Sequence, residues 1–223
     1  MLNFLRILLL LLIFSSTPTS LANDQLQPAV TQPIPVADIV GFADYPPFVK
    51  KLIRNATSLS QKNLTYLYGS ADPKNKGMDC SGTIYYLLTS NDVKNVPRSA
   101  DEMYQWVKNI GTLNQVHTND FNSTEFANLK PGDLLFWSGT YDKGNSNTIT
   151  HVMLYLGENT KHARLMFGAS DGRTYQNKKM WGVSVFDFKL PAKEDTAKFV
   201  GYSRIPLTAK TVKPVSSVIT LHK

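Results

Sequence analysis

Cys80 is the only cysteine in the 223-residue sequence, and its setting is that of a nucleophile. It follows a loop rich in Gly, Lys and Pro (72–77) and precedes the apolar run 83–88. Asp79 and Ser81 suit a helix start, because their side-chain oxygens accept from free backbone N–H groups. A thiol there sits at the positive end of the helix dipole, which favours the reactive thiolate. A lone cysteine is more often a small buried apolar residue. The position between a polar loop and an apolar helix argues for a chemical role instead. Cysteine catalysis needs a base, usually His, and a third group that orients the base. The histidines are His117, His151, His162 and His222. His151 is the best placed, since it opens the apolar run 151–157 directly after a polar loop. His117 lies in an irregular polar stretch, and His222 lies near the end of the chain.

The elements that must position this pair read as follows. Pro46 and Pro47 precede an i, i+3, i+4 apolar pattern, which predicts a helix over 47–60. The stretch 65–69 is a short strand or turn leading into the cysteine loop. Ser99 and Glu102 fit a capping box, followed by apolar residues at helical spacing and then Gly111. A short strand is expected at 114–117. Strands are expected at 134–137 after the turn 130–133, then at 150–157, 164–169, 183–188 and 199–205. Helices come first and an antiparallel sheet second, which makes the chain α+β.

The chain opens with one positive charge, Arg6, an apolar stretch and Ser20-Leu21-Ala22, the pattern of a cleaved signal peptide over 1–22. The apolar stretch is short of the ~20 residues that span a bilayer, and no cysteine lies near the cleavage site to carry a lipid. The expectation is a periplasmic or secreted protein with no stable membrane anchor. Removing Arg6 takes 24 basic residues to 23 against 17 acidic, a net charge of +6. The lysines are scattered and no nucleic-acid module is visible, so the charge reads as a solvated face. A single cysteine cannot form an internal disulfide. Residues 23–45 read as an extended lead-in, 46–206 as one domain, and 207–223 as a loosely attached tail. Cys-x-x-Cys and His-Glu-x-x-His are both missing, so neither a metal nor a cofactor is expected. The sequons at Asn55, Asn63 and Asn122 matter only in a eukaryotic host.

Five blocks in order carry a resemblance: Tyr66-Leu67-Tyr68-Gly69, Asp79-Cys80-Ser81-Gly82, Pro97-Arg98-Ser99, Pro131-Gly132-Asp133-Leu134-Leu135-Phe136, and the run from His151 to Gly157. From about 46 to 204 the chain resembles the NlpC-type cell-wall cysteine peptidases. The resemblance implies a papain-like core, with the cysteine helix packed on a sheet that carries the histidine. It implies hydrolysis of the peptidoglycan stem peptide, commonly between D-γ-glutamate and a diamino acid such as meso-diaminopimelate; the protein is expected to be a monomer. Cys80 matches the nucleophile and His151 the base. Tyr66 matches a cleft tyrosine that helps to bind the oxyanion. Asp79 and Ser81 match positions that contact the substrate amine in some members, and capping is their competing role.

The sequence departs from the pattern at the third catalytic residue. Gly168, in Met166-Phe167-Gly168-Ala169-Ser170, stands where a second histidine is usual. Ser170 lies on the same strand face and is favoured by geometry as the orienter. Asp171 is favoured by charge. The stretch 170–173 otherwise reads as turn chemistry. The alternatives are an amidase or acyltransferase with the same dyad, and a catalytically weak module that binds wall peptides.

Overall fold

The computed structural model describes residues 26–141 and 148–207, and the expected signal segment, His222 and the expected tail beyond 207 lie outside the described residues. Helix α1 spans Pro47–Ser60, with Pro at its first position and Leu52, Ile53, Ala56 and Leu59 buried. Each such Leu or Ile contributes about 1.5–3 kcal/mol by leaving water. Strand β1 (Thr65–Tyr66) pairs in parallel with β2 (Gly77–Met78). This pairing closes the 72–77 loop and delivers the chain to helix α2, Cys80–Thr89. Helix α3, Ala100–Ile110, starts at the expected Ser99–Glu102 capping box and stops at Gly111 in the left-handed region. Replacing such a cap costs about 1 kcal/mol.

Strands β3 (Leu113–Gln115), β4 (Leu134–Ser138), β5 (Ile149–Glu158) and β6 (Arg164–Ser170) follow. A hairpin of β7 (Thr174–Tyr175) and β8 (Lys178–Lys179) leads to β9 (Gly182–Asp187) and β10 (Lys198–Ser203). Six of them form one antiparallel sheet in the order β3-β10-β4-β5-β6-β9. The fold is therefore α+β, with the cysteine helix against an antiparallel sheet, as expected of a papain-like core. The β3 strand starts one residue and ends two residues earlier than the sequence suggests, and the β1–β2 and β7–β8 pairings are additions to it.

The two faces of the sheet differ. Val152, Leu154, Leu156, Phe167 and Val185 pack under the helices. Leu135, Trp137, Met153, Tyr155, Phe186 and Tyr202 form a second, aromatic core on the other face. The alternation along β5 therefore buries both sides, as in a central strand. The lead-in is not merely extended. Val30 exchanges backbone hydrogen bonds with Trp181, Gln32 N donates to Ser184 Oγ at 2.8 Å, and Ile34 and Ile39 are buried. It straps the β9 edge, which would otherwise offer unpaired backbone groups. Among the described residues no helix is long and apolar enough to cross a membrane.

Candidate active site

Asp79 is the N-cap of α2, and its Oδ1 accepts from Gly82 N at 2.5 Å. The same carboxylate accepts from Gly69 N at 2.8 Å and from both Nη atoms of Arg98, at 3.2 and 2.9 Å. Arg98 also donates to Ser81 Oγ at 3.0 Å, and Ser81 donates to Asp79 at 3.3 Å. These bonds occupy the acceptor capacity of the Asp79 carboxylate, so it is the capping role that the geometry displays. Gly82 is required by close approach, since a Cβ there would run into the Ser70 carbonyl oxygen. The turn 69–70, the start of α2 and Arg98 thereby become one rigid unit.

Cys80 is buried, and its Sγ lies 3.9 Å from the carbonyl oxygen of Thr150, the residue before His151. Helix α2 thus meets β5 at the peptide that carries the histidine. The helix end does not make the thiol acidic. Burial, and then the Asp79 charge, push Cys80 up to about 11, outweighing the backbone N–H groups of Val152, Ser81 and Cys80 itself. The expected thiolate is therefore a neutral thiol at rest, because desolvation exceeds the dipole effect.

His151 is buried against Trp137, with ring centroids 5.8 Å apart in an edge-on arrangement. Burial, and then the Arg173 charge, hold its imidazole well below the usual histidine range. Its polar partner is Arg173, whose Nε donates to His151 Nε2 at 3.3 Å. The Arg173 guanidinium also lies 4.4 Å above the Trp137 ring, which suits a cation. Burial lowers Arg173 to about 10, so it stays charged at neutral pH.

The expected orienters do not reach the imidazole. Ser170 is buried at the end of β6, and its Oγ accepts from Arg173 N at 3.4 Å. Asp171 is exposed just beyond the strand. Among the described residues neither of them bonds to His151. Gly168 is explained by its neighbour. A Cβ there would lie 3.2 Å from Met153 Cγ and Sδ, so Met153 fills the space a side chain at 168 would enter. The residue that does reach His151 is Arg173, which the sequence alone presents as part of a turn. The signal for it was a cation three residues beyond Ser170, where the chain turns back past the His151 end of the sheet.

Two cavities adjoin at the shared lining residues Tyr66, Tyr68 and Tyr141. One, of about 270 Å³, is walled by Asp79, Cys80, Ser81, Arg98 and Thr150. The other, of about 540 Å³, is walled by His151, Ser170, Asp171 and Arg173. Tyr66 stands between them, and burial, then the neighbouring Cys80, raises its phenol above the ordinary value. It stays protonated and able to donate. Among the described residues no group of His, Cys, Asp and Glu has the grouping of a metal site.

The sequence pattern of the NlpC/P60 family matches residues 63–184, which hold this whole constellation. The chain belongs to the NlpC/P60 family. It is 36% identical over 94 residues to the gamma-DL-glutamyl hydrolase of Bacillus subtilis, covering 42% of this chain and 18% of that one. It is 32% identical over 114 residues to the murein DD-endopeptidase MepH of Escherichia coli, covering 48% and 36%. The matched part is therefore well under half of these curated relatives. Among solved structures, an NLP/P60-family protein of Staphylococcus aureus is similar at 20% identity and TM-score 0.45, over 72% of this chain and 42% of that one. NlpC1 of Trichomonas vaginalis is similar at 21% identity and TM-score 0.42, over 70% and 44%.

Proposed function

We propose that this NlpC/P60 protein is an exported cysteine endopeptidase of the peptidoglycan stem peptide, acting on the bond between D-γ-glutamate and a diamino acid. The reading is carried by one observation. The single thiol stands at a helix N-terminus against the Thr150–His151 peptide, in a cleft, within the span of the family pattern. The names of the two curated relatives, a gamma-DL-glutamyl hydrolase and a murein DD-endopeptidase, support a peptidoglycan-hydrolysing peptidase, and the choice of the glutamyl bond is part of the proposal.

In this reading His151 takes the Cys80 proton as Sγ attacks the amide carbon. The oxyanion forms beside the Cys80 N–H, a first-turn donor that the helix leaves free, with the Tyr66 hydroxyl as a second donor. His151 then gives its proton to the leaving amine, and the C–N bond breaks to leave a thioester on Cys80. Water adds to the thioester with His151 again as base, and the thiol is regenerated. At rest both partners are neutral, so the proton moves in the presence of substrate and not before. A second reading, a wall-peptide-binding module, draws on that same neutral pair. The test is a defined stem peptide incubated with protein and followed by mass spectrometry. The first reading predicts a fragment with a new amine and a transient acyl adduct on Cys80. An intact peptide that nevertheless binds would favour the second.

A further inference from the structure

The cavity beside His151 contains a cation that no carboxylate among the described residues touches, although Asp171 acts on it through space. Arg173 has no carboxylate within ion-pair distance among the described residues, and its Nη atoms donate to no acceptor there. Its fixed points are Nε on His151, the Trp137 face, and its own backbone N–H on Ser170. The other acids of this cavity are engaged or open to water. Asp187 is paired with Lys189 at 3.3 Å and accepts from Gln176 N, Asp195 accepts from Ala192 N, and Asp171 is exposed. A guanidinium held at Nε and on one face, on a backbone fixed at Ser170, leaves two free nitrogens that present the fork which binds a carboxylate in a bidentate way.

The position of the cavity says which part of a substrate reaches it. The group that protonates the leaving amine must lie on the leaving-group side, and that group is His151. The amine half of the substrate therefore enters the His151–Arg173 cavity, and the acyl half lies in the Cys80–Asp79 cavity.

We propose that Arg173 is a specificity-determining residue that binds the side-chain carboxylate of an acidic diamino acid on the leaving half of the substrate. The inference rests on the proposed function for the orientation of the substrate. It favours an acidic diamino acid over lysine, which has no second carboxylate. Binding would also ready the dyad. An imidazolium bears protons on both nitrogens, so the Arg173–Nε2 bond must break as His151 takes up a proton. A carboxylate that draws off the guanidinium, or offsets its charge, removes that obstacle.

The test compares three peptides whose C-terminal carboxylate is amidated, so that only the diaminopimelate side chain brings a carboxylate to the leaving half: L-Ala-γ-D-Glu-diaminopimelate, the same peptide with L-Lys as the diamino acid, and the diaminopimelate peptide with its glutamate carboxylate amidated as well. Cleavage is measured with wild type, and binding with Cys80→Ala by calorimetry. Wild type should prefer the diaminopimelate peptide over the lysine peptide by about 10- to 100-fold, the scale of a charge-assisted hydrogen-bond pair. Arg173→Gln should bring that ratio near one, with an unchanged thermal melt. Arg173→Lys should keep part of it, since the charge remains and the fork is lost. A ratio near one in wild type, or a ratio that persists in Arg173→Gln, overturns the proposal. A loss on amidating the glutamate, with diaminopimelate and lysine peptides equal, would move the recognised carboxylate to the acyl side and overturn it too. The binding ratio decides the matter without turnover. Preferential binding with no cleavage of any peptide would defeat the hydrolase reading and leave the carboxylate site standing.

Discussion

Two arginines flank the site, and they do opposite things. Arg98 is committed: both Nη atoms lie on Asp79, one also on Ser81, and together they lock the start of the Cys80 helix. Arg173 is uncommitted: it touches an imidazole and an indole and has no carboxylate partner among the described residues. Both carry the same charge within one cleft. What separates them is the anion, which the fold supplies to Arg98 and leaves for a ligand to supply to Arg173. A saturated arginine builds a site, and an unsaturated one reads a substrate.

The largest expected effect comes from the thiol between them. Cys80→Ala should abolish hydrolysis while the protein stays folded, measured by peptide turnover beside a thermal melt. His151→Ala should lower turnover by at least ~100-fold, the scale for losing a positioned base. Residual activity near wild type in either variant removes that residue from the mechanism.

The next effect separates the arginines by stability. Arg98→Ala leaves the buried Asp79 carboxylate without its counter-charge. Discounting for the partial exposure of Arg98, that should cost about 1–3 kcal/mol in urea unfolding. Arg173→Gln should stay within ~1 kcal/mol of wild type, since it ends a cation–π contact and relieves an unpaired charge. Equal losses in the two variants would erase the distinction between a structural and a recognition arginine.

A pH experiment sharpens the electrostatic half of the comparison. Cys80 is pushed up to about 11, so its alkylation by iodoacetamide should be slow at pH 7 and still rising with pH above 9. His151 is held low by burial and by Arg173, so Arg173→Gln should raise the His151 pKa, read from its NMR titration. A plateau in Cys80 alkylation near pH 7 would mean that a thiolate–imidazolium pair already exists at rest.

The smallest effect lies at the far end of the sheet, where Arg204 pairs with Asp133. Burial raises Asp133 to about 6, against the lowering effects of the Lys130 N–H and Arg204. A carboxylate raised on folding adds stability that is full below its unfolded value and is lost as pH rises through about 6. Arg204→Gln removes the offsetting charge, so it should destabilise by about 1 kcal/mol more at pH 7.5 than at pH 4. Equal losses at the two pH values would show that Arg204 acts there by packing.

Much of this arrangement was legible in the sequence, for local reasons. Helix α1, the Ser99–Glu102 capping box, the Asp79 cap and strands β4 to β6 follow from short-range pattern and cap chemistry. Cys80 and His151 stand out in the sequence because each opens an apolar element after a polar loop. The rest depends on distant approach. The strap of Val30 on Trp181 joins residues far apart in the chain, and no periodicity announces it. Gly168 registered only as a missing side chain, while its reason, Met153, lies on the neighbouring strand. Arg173 read as part of a turn because its partners, His151 and Trp137, come from two other strands. At Cys80 the backbone N–H groups act in the direction a helix start implies, but burial, which the sequence does not display at that position, outweighs them.

The most direct test of the central claim is digestion of purified sacculi by wild type and Cys80→Ala side by side, with mass analysis of the soluble fragments. The account predicts wild-type fragments that end at D-γ-glutamate or begin at a free diamino-acid amine, and none from the variant. The same fragments released by Cys80→Ala, or none released by wild type, would contradict it.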